Sequence, residues 1–323
     1  MVDKYGRQIE YMRVSITDRC DLRCRYCMPD GCEKVPMSQI LTYEEIIRIL
    51  KAASSLGISK IKITGGEPFV RLGCTDLMKK TKALDGIDEV TVTTNGQTLE
   101  RYIDELKEIG IDGINISLDT LDPERFEYIT GIGKLEKTIR AVELAAASGI
   151  RTKINTLLQK EFNIDELPDI AALAFRYGID VRFIEMMPIG AADAGLGVSN
   201  PEVLRRLMEV WPDLEPDGSV HGNGPAVYYK RPGVKGGIGL ISAMHGKFCR
   251  YCNRVRLTSQ GQLKPCLGFD TGTDLVPFLT GTDEELKEAL RNAILEKPEA
   301  HCFDDPGGSA EHAEHRLMSQ IGG

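Results

Sequence analysis

The sequence predicts an α/β fold: a partial (βα)6 TIM-type barrel over residues 1–212, then a smaller C-terminal domain of short strands over 213–323. Two observations carry this. Short β-branched runs alternate six times with segments of helical period, as parallel strands joined by crossover helices do. Within the runs, one parity is apolar and the other polar, whereas a parallel sheet covered on both faces reads as nearly all apolar. A barrel, or one left partly open, accounts for both: the apolar parity packs on the helices and the polar parity lines a lumen. A sheet with one solvated face is the alternative, but βα crossovers would normally cover that face.

The elements follow in order. In the run 11–17, Val14 and Ile16 oppose Arg13, Ser15 and Thr17. In 60–64, Ile61 and Ile63 oppose Lys62 and Thr64. In 89–94, Val90 and Val92 oppose Thr91 and Thr93, with Asn95 continuing the polar parity. In 113–119, Ile114, Ile116 and Leu118 oppose Asn115, Ser117 and Asp119; in 151–158, Ile154 and Thr156 oppose Arg151, Lys153 and Asn155. The sixth run is 181–187. Helices are expected at 43–55, 74–84, 98–109, 134–148, 165–177 and 200–210. Gly57, Gly110, Gly149 and Gly178 follow helical runs as C-cap glycines do. The turn-rich stretch 212–218 reads as a linker. Strands at 226–230, 237–242 and 254–259 and a helix at 283–296 complete the chain.

At 42% hydrophobic and 27% charged residues, the composition is that of an ordinary globular protein. No run of about 18 apolar residues is present, so no membrane span is expected. The first residues lack the apolar core of a secretory signal, and the cytoplasm is the expected location. A net charge of −8 argues against a nucleic-acid surface. It requires that cations for any anionic substrate be concentrated locally. Nine cysteines without a signal read as metal-binding or catalytic thiols, not a disulfide framework. Cys32, Cys74 and Cys302 stand outside two triplets and read as bystanders, since a free Cys packs as a small hydrophobe.

Cys20, Cys24 and Cys27 form a C-x3-C-x2-C array directly after the first strand. Thiolates select zinc or iron–sulfur clusters. A structural zinc site wants four closed ligands; here there are three, with no histidine before His221. A four-iron cluster on three cysteines leaves one iron open to a substrate. Zinc completed by a distant residue such as Cys32 is the other reading. Gly65-Gly66-Glu67-Pro68 and Thr94-Asn95-Gly96 follow the second and third strands, so all three loops fall on the rim where βα barrels carry their chemistry.

The second triplet is Cys249-x2-Cys252-x13-Cys266. By spacing alone it suits zinc completed by His245 or His301. Arg254 and Arg256 alter the balance: two fixed positive charges beside an open iron suit a polar, anionic ligand.

The C-x3-C-x-Y-C form, with Tyr26 before the last cysteine, resembles the signature of the radical S-adenosylmethionine (SAM) enzymes. Gly65-Gly66-Glu67-Pro68 is similar to the segment that contacts SAM there. Arg13–Cys20, Arg182–Pro188, Phe248–Thr258 with Cys266-Leu267, and the tail Met318–Gly323 together resemble the GTP 3′,8-cyclase family of molybdenum cofactor biosynthesis. The resemblance runs the length of the chain. It implies two [4Fe–4S] clusters, on Cys20, Cys24 and Cys27 and on Cys249, Cys252 and Cys266. It implies SAM contacts at Tyr26, Gly66, Ser117 and Met187. It implies GTP contacts at Arg13, Lys62, Thr93, Lys153, Arg254, Val255 (through its backbone) and Arg256, with Arg13 needed in turnover. The implied reaction begins with cleavage of SAM to a 5′-deoxyadenosyl radical, which takes hydrogen from C3′ of GTP. C3′ then joins C8, giving 3′,8-cyclo-7,8-dihydro-GTP. Implied partners are a reductant such as flavodoxin or ferredoxin and a downstream cyclic pyranopterin monophosphate synthase; a homodimer is a further expectation. For Lys62 and Lys153 the alternative is an internal salt bridge to Glu67, Asp119 or Glu185. For the double-glycine tail, which could reach the pocket, it is a disordered end.

Three departures stand out: no second basic residue follows Arg71 in Phe69–Cys74, Asp21 stands where Asn is usual, and Cys302 falls in a region often rich in histidine. A radical-SAM peptide-modifying enzyme is the rival enzymatic reading, although such enzymes usually carry more auxiliary cysteines. An iron–sulfur carrier is the non-enzymatic one, and it leaves the polar lumen unexplained.

Overall fold

The computed structural model describes residues 1–29, 31, 35–303 and 313–322. Six βα units form the first part: β1 (Tyr11–Ser15), α1 (Tyr43–Ser55), β2 (Lys60–Thr64), α2 (Cys74–Lys82), β3 (Glu89–Thr94), α3 (Ile103–Ile109), β4 (Gly113–Ser117), α4 (Pro123–Thr130), α5 (Leu135–Ala147), β5 (Thr152–Leu157), α6 (Leu167–Tyr177), β6 (Asp180–Ile184) and α7 (Asn200–Val210). Then come β7 (Glu215–Asp217), β8 (Val227–Lys230), β9 (Gly237–Ile241), β10 (Arg254–Leu257), β11 (Gln262–Lys264), β12 (Thr273–Asp274), α8 (Asp283–Leu295) and α9 (Met318–Ile321).

One sheet runs β12-β11-β10-β1-β2-β3-β4-β5-β6-β9-β8-β7. The six expected strands are parallel neighbours in chain order, and β10 and β9 add in parallel to the two outer ones, β1 and β6. The strands after residue 212 therefore extend both margins of the barrel sheet. The sheet is curled: side chains from β1 to β6, β9 and β10 all line one small cavity, which a flat sheet of that width cannot arrange. The barrel stays open, because among the described residues β7 and β12 do not pair with each other.

The parity argument holds at atomic level. Val14, Ile16, Ile63, Val90, Val92, Ile114, Ile116 and Ile154 are fully buried in one apolar core with the helix faces. The opposite parity supplies Arg13, Lys62, Thr93, Asn115, Lys153 and Asn155 to the lumen.

The structure departs from the sequence-based expectation at β11, β12 and α9, short elements that were not expected, and at three further places. The stretch read as a linker contains β7, which pairs with β8; a short, charged, proline-bearing strand is suited only to a sheet edge. The expected helix 98–109 is broken into a 3-10 turn, Leu99–Arg101, and α3. Helix α4 was not expected, although its start signal is in the sequence: Asp122 accepts from the Glu124 and Arg125 amides and Pro123 occupies the first turn.

Candidate active site

The first cysteine loop leaves the C-terminal end of β1 and is pinned by backbone bonds. Arg23 and Arg25 donate their amides to the carbonyls of Thr130 and Ile129 at the end of α4, at 2.8 and 3.0 Å. The Gly-Gly-Glu-Pro loop docks beneath it: the Gly66 amide donates to Thr17 O and the Glu67 amide to Arg19 O, both at 2.8 Å. A Cβ at Gly66 would lie 2.3 Å from Arg19 O, so only glycine permits this approach. The Glu67 carboxylate accepts from Thr94 Oγ1 (2.9 Å), the Asn95 amide (2.7 Å) and the Phe69 amide (3.2 Å). Burial pushes its pKa up to about 8. Asn95 Nδ2 in turn donates to Asp21 Oδ1 at 2.7 Å. The three loops expected on one rim thus touch one another.

Tyr26 donates its hydroxyl to Asp119 Oδ2 at 2.7 Å, and the Leu157 amide donates to Asp119 Oδ1 at 2.8 Å. Burial raises Asp119 to about 6 and Tyr26 well above its ordinary value.

Two triplets of cysteine are soft donor sets of the kind that hold iron–sulfur clusters. Burial raises the Cys20 thiol to about 12 and Cys24 well above its usual value, so their thiolates need a cationic partner. Among the described residues no group of three His, Cys, Asp or Glu side chains is gathered tightly enough to hold a metal ion as they stand. Of the histidines considered for zinc, His245 has Nδ1 3.2 Å from Glu185, and His301 has both ring nitrogens engaged, Nε2 2.9 Å from Ala243 O and Nδ1 accepting from the Phe303 amide at 3.3 Å. Cys32 lies outside the described residues. Cys74 is buried in the core at the start of α2, and Cys302 Sγ donates to Gly268 O at 3.1 Å.

Two adjoining cavities fill the lumen. The larger, about 310 Å³, is lined by Arg13, Tyr26, Thr93, Ser117 and Met187 together with Cys249, Cys252, Cys266, Arg254 and Arg256. The smaller, about 110 Å³, lies towards the N-terminal ends of the strands and contains Lys62 and Lys153. Arg13, Thr93, Asn155, Ile184, Ile241 and Arg254 line both, so the two are continuous. Arg13, Lys62, Arg151, Lys153, Arg182 and Arg254 meet in the smaller cavity. Against them stand Glu89, bound to Arg151 at 2.7 Å, and Asp180, bound to Lys153 at 2.8 Å. Burial, and after it the neighbouring cations, depresses the two lysines. Lys62 is pushed well below its ordinary pKa by burial and then by Arg182 and Arg13, and Lys153 falls to about 8, chiefly by burial. This is a site built for a polyanion.

Of the residues singled out from sequence, Gly66 lies outside both cavities, its amide committed to Thr17. Val255 buries its side chain in the helix-side core and offers the lumen only main chain. Lys153 does make an internal salt bridge, with Asp180 rather than Glu67, Asp119 or Glu185. Lys62 has no ion pair among the described residues. The tail folds inward: Arg256 Nη1 donates to Gly322 O at 2.6 Å, Ile321 is buried and Met318 lines the larger cavity. Gly323 lies outside the described residues.

Sequence reasoning missed two features. Arg182 donates to Asn155 Oδ1 and Asn115 Oδ1, each at 2.9 Å, bracing the lumen across three strands; all three residues lie on lumen parity and were findable by it. Lys297 donates to Arg254 O (2.7 Å) and Pro265 O (2.6 Å). Although burial opposes it, Lys297 and then Arg254 bring the Cys252 thiol below its usual pKa. No local pattern marks Lys297.

Comparison with known proteins agrees with this geometry. Residues 14–174 match the Radical SAM superfamily, and residues 179–303 match Molybdenum Cofactor Synthesis C. The chain is 42% identical over 326 residues to a GTP 3′,8-cyclase of Clostridium perfringens (strain SM101 / Type A), covering all of both chains. It is 43% identical over 328 residues to that of Alkaliphilus oremlandii (strain OhILAs), again over the full length of both. Among solved structures, Streptococcus suis SuiB bound to S-adenosylmethionine superposes with a TM-score of 0.62 at 18% identity, covering 93% of this chain and 66% of that one. Native anSMEcpe with bound AdoMet gives 0.59 at 16%, covering 91% and 82%. At such identities these two structures speak to the fold alone.

Proposed function

The chain belongs to the GTP 3′,8-cyclase family of radical SAM enzymes, and from that premise we propose how its residues divide the work. The enzyme acts in molybdenum cofactor biosynthesis, with SAM and iron–sulfur clusters as cofactors. Cys20, Cys24 and Cys27 would hold the cluster on the β1 rim, and Cys249, Cys252 and Cys266 the second. When bound, the first supplies the electron that cleaves SAM, and the second an open iron for the purine.

The chain's own residues bind, orient and shield. Tyr26, Ser117 and Met187 flank SAM in the larger cavity. Gly66 acts by letting its loop close under the cysteines. Arg254 and Arg256, with the Val255 main chain between them, take the nucleotide beside the second cluster, and Lys297 holds that strand in place. Arg13 and Thr93 bridge the two cavities, and Arg13 is the residue we assign to turnover. Lys62 and Lys153 meet the phosphates, since fixed donors in a water-poor cleft neutralise phosphate best. The single observation that carries this reading is the continuity of a cysteine-lined cavity with one holding six cations.

We further propose a flavodoxin- or ferredoxin-like reductant, delivery of product to a cyclic pyranopterin monophosphate synthase, and a homodimer. The test is one anaerobic incubation of reconstituted protein with a strong reductant, SAM and GTP, with ATP as the control nucleotide. Iron and sulfide should each be about eight per chain. 5′-Deoxyadenosine and a GTP-dependent cyclised product are expected. Deoxyadenosine without that product would reopen the substrate, beginning with peptides.

A further inference from the structure

Between β7 and β8 the chain crosses the N-terminal mouth of the barrel, and Gly222, Asn223, Gly224 and Pro225 line the cation-rich cavity. What this loop presents to the cations is main chain. Lys153 Nζ donates to His221 O, and Arg254 Nη2 donates to Asn223 O at 3.2 Å. Lys153 has three donors, and Tyr228 Oη at 2.9 Å and Asp180 at 2.8 Å take the others. The backbone turn into the cavity is made at Gly222, whose positive φ other residues rarely adopt, and a Cβ would meet the cations only at ordinary contact distance. Gly222 has φ +126°, and a Cβ there would be 3.8 Å from the Lys153 ammonium; one at Gly224 would be 3.6 Å from Arg182 Nη1.

The loop is anchored independently of those carbonyls. The His221 ring stacks on Tyr228 with centroids 3.8 Å apart, and its nitrogens lie 2.9 Å from Asp180 and 3.0 Å from Asp217. Asn223 Nδ2 donates to Glu89 at 2.7 Å. The loop is thus hinged on the His221 ring and held shut at Asn223, with two neutral carbonyls on cations that a phosphate would bind more strongly. A phosphate adds a charge–charge attraction that a neutral carbonyl lacks, and it can take Arg254 in a bidentate pair.

We propose that Gly218–Pro225 is a placeholder for the terminal phosphate: its His221 and Asn223 carbonyls occupy Lys153 and Arg254 until a nucleoside triphosphate displaces them. The proposal rests on the reading that the phosphates lie in this cavity. On this proposal the loop is a determinant of specificity: the third phosphate is what releases it, and GDP, which lacks that phosphate, leaves it in place.

The experiment is hydrogen–deuterium exchange on the reconstituted enzyme, alone and with saturating GTP or GDP, with nucleotide binding measured in parallel by equilibrium dialysis. GTP should speed exchange of the 218–225 amides, and bound GDP should leave it unchanged. Asn223→Ala removes the hold on the shut loop and should lower the Kd for GTP about fivefold, the worth of one hydrogen bond. A loop that is merely structural would give an unchanged or higher Kd. Bound GTP with unchanged or slowed loop exchange overturns the placeholder alone. Equal loop release by GDP overturns its selection of the terminal phosphate. Absence of GTP binding overturns the substrate reading and the placeholder with it.

Discussion

At the scale of single residues, the site separates groups by what removing them should do. Cys24 is proposed above as a ligand of the cluster that reduces SAM, so Cys24→Ser should abolish 5′-deoxyadenosine formation. Arg256 lines the larger cavity, proposed above to take the nucleotide, and holds Gly322 O. Arg256→Ala should raise the KM for GTP by roughly tenfold to a hundredfold, the worth of a hydrogen bond to a charged group, while SAM cleavage persists. Normal SAM cleavage by the Cys24 variant would sink the first assignment. Lys153 gives a pH test. Its pKa falls to about 8, chiefly by burial, so it carries its charge below that pH and loses it above. Since kcat/KM reports the free enzyme, kcat/KM for GTP should decline above about pH 8. Lys153→Arg, which keeps its charge, should hold its own neutral-pH value into that range.

At the scale of elements, the rim is a set of interlocked loops. Glu67 joins the loops after β2 and β3, Asn95 joins the latter to Asp21, and Gly66 seats one loop against the backbone of Thr17–Arg19. Gly66→Ala should cost about 1–3 kcal/mol, as overpacking does. It should also lower iron retention at the first cluster more than at the second. Thermal melts of the apo protein and site-resolved Mössbauer or EPR signals would show this; equal loss at both clusters would argue for a global effect. Much of the rim was legible beforehand, because the position of each loop after a parallel strand fixes its end of the barrel. The bonds among the loops were not, since they join side chains and carbonyls from separate βα units.

At the scale of the molecule, the later strands complete the earlier ones. β10 pairs with β1 and β9 with β6, so residues 1–212 alone would expose both margins of a parallel sheet. Exposed edges template association; this fragment should aggregate at concentrations where the full chain stays in solution, as light scattering would show. Tail and body are also joined by a fully buried ion pair, Lys264 with Glu314. Among the described residues, no helix is long and apolar enough to cross a membrane.

The sequence by itself determined the six βα units, the lumen parity of Arg13, Lys62, Thr93 and Lys153, and both cysteine triplets, because periodicity and spacing are local properties of the chain. Only the tertiary structure decided that β9 and β10 flank β6 and β1, that Asp180 pairs with Lys153, and that Lys297 braces the second cysteine site. It alone also brought the loop 218–225 and the tail into the lumen. Each of these joins residues far apart in sequence, and which distant segments meet is set by tertiary packing, which no local pattern encodes.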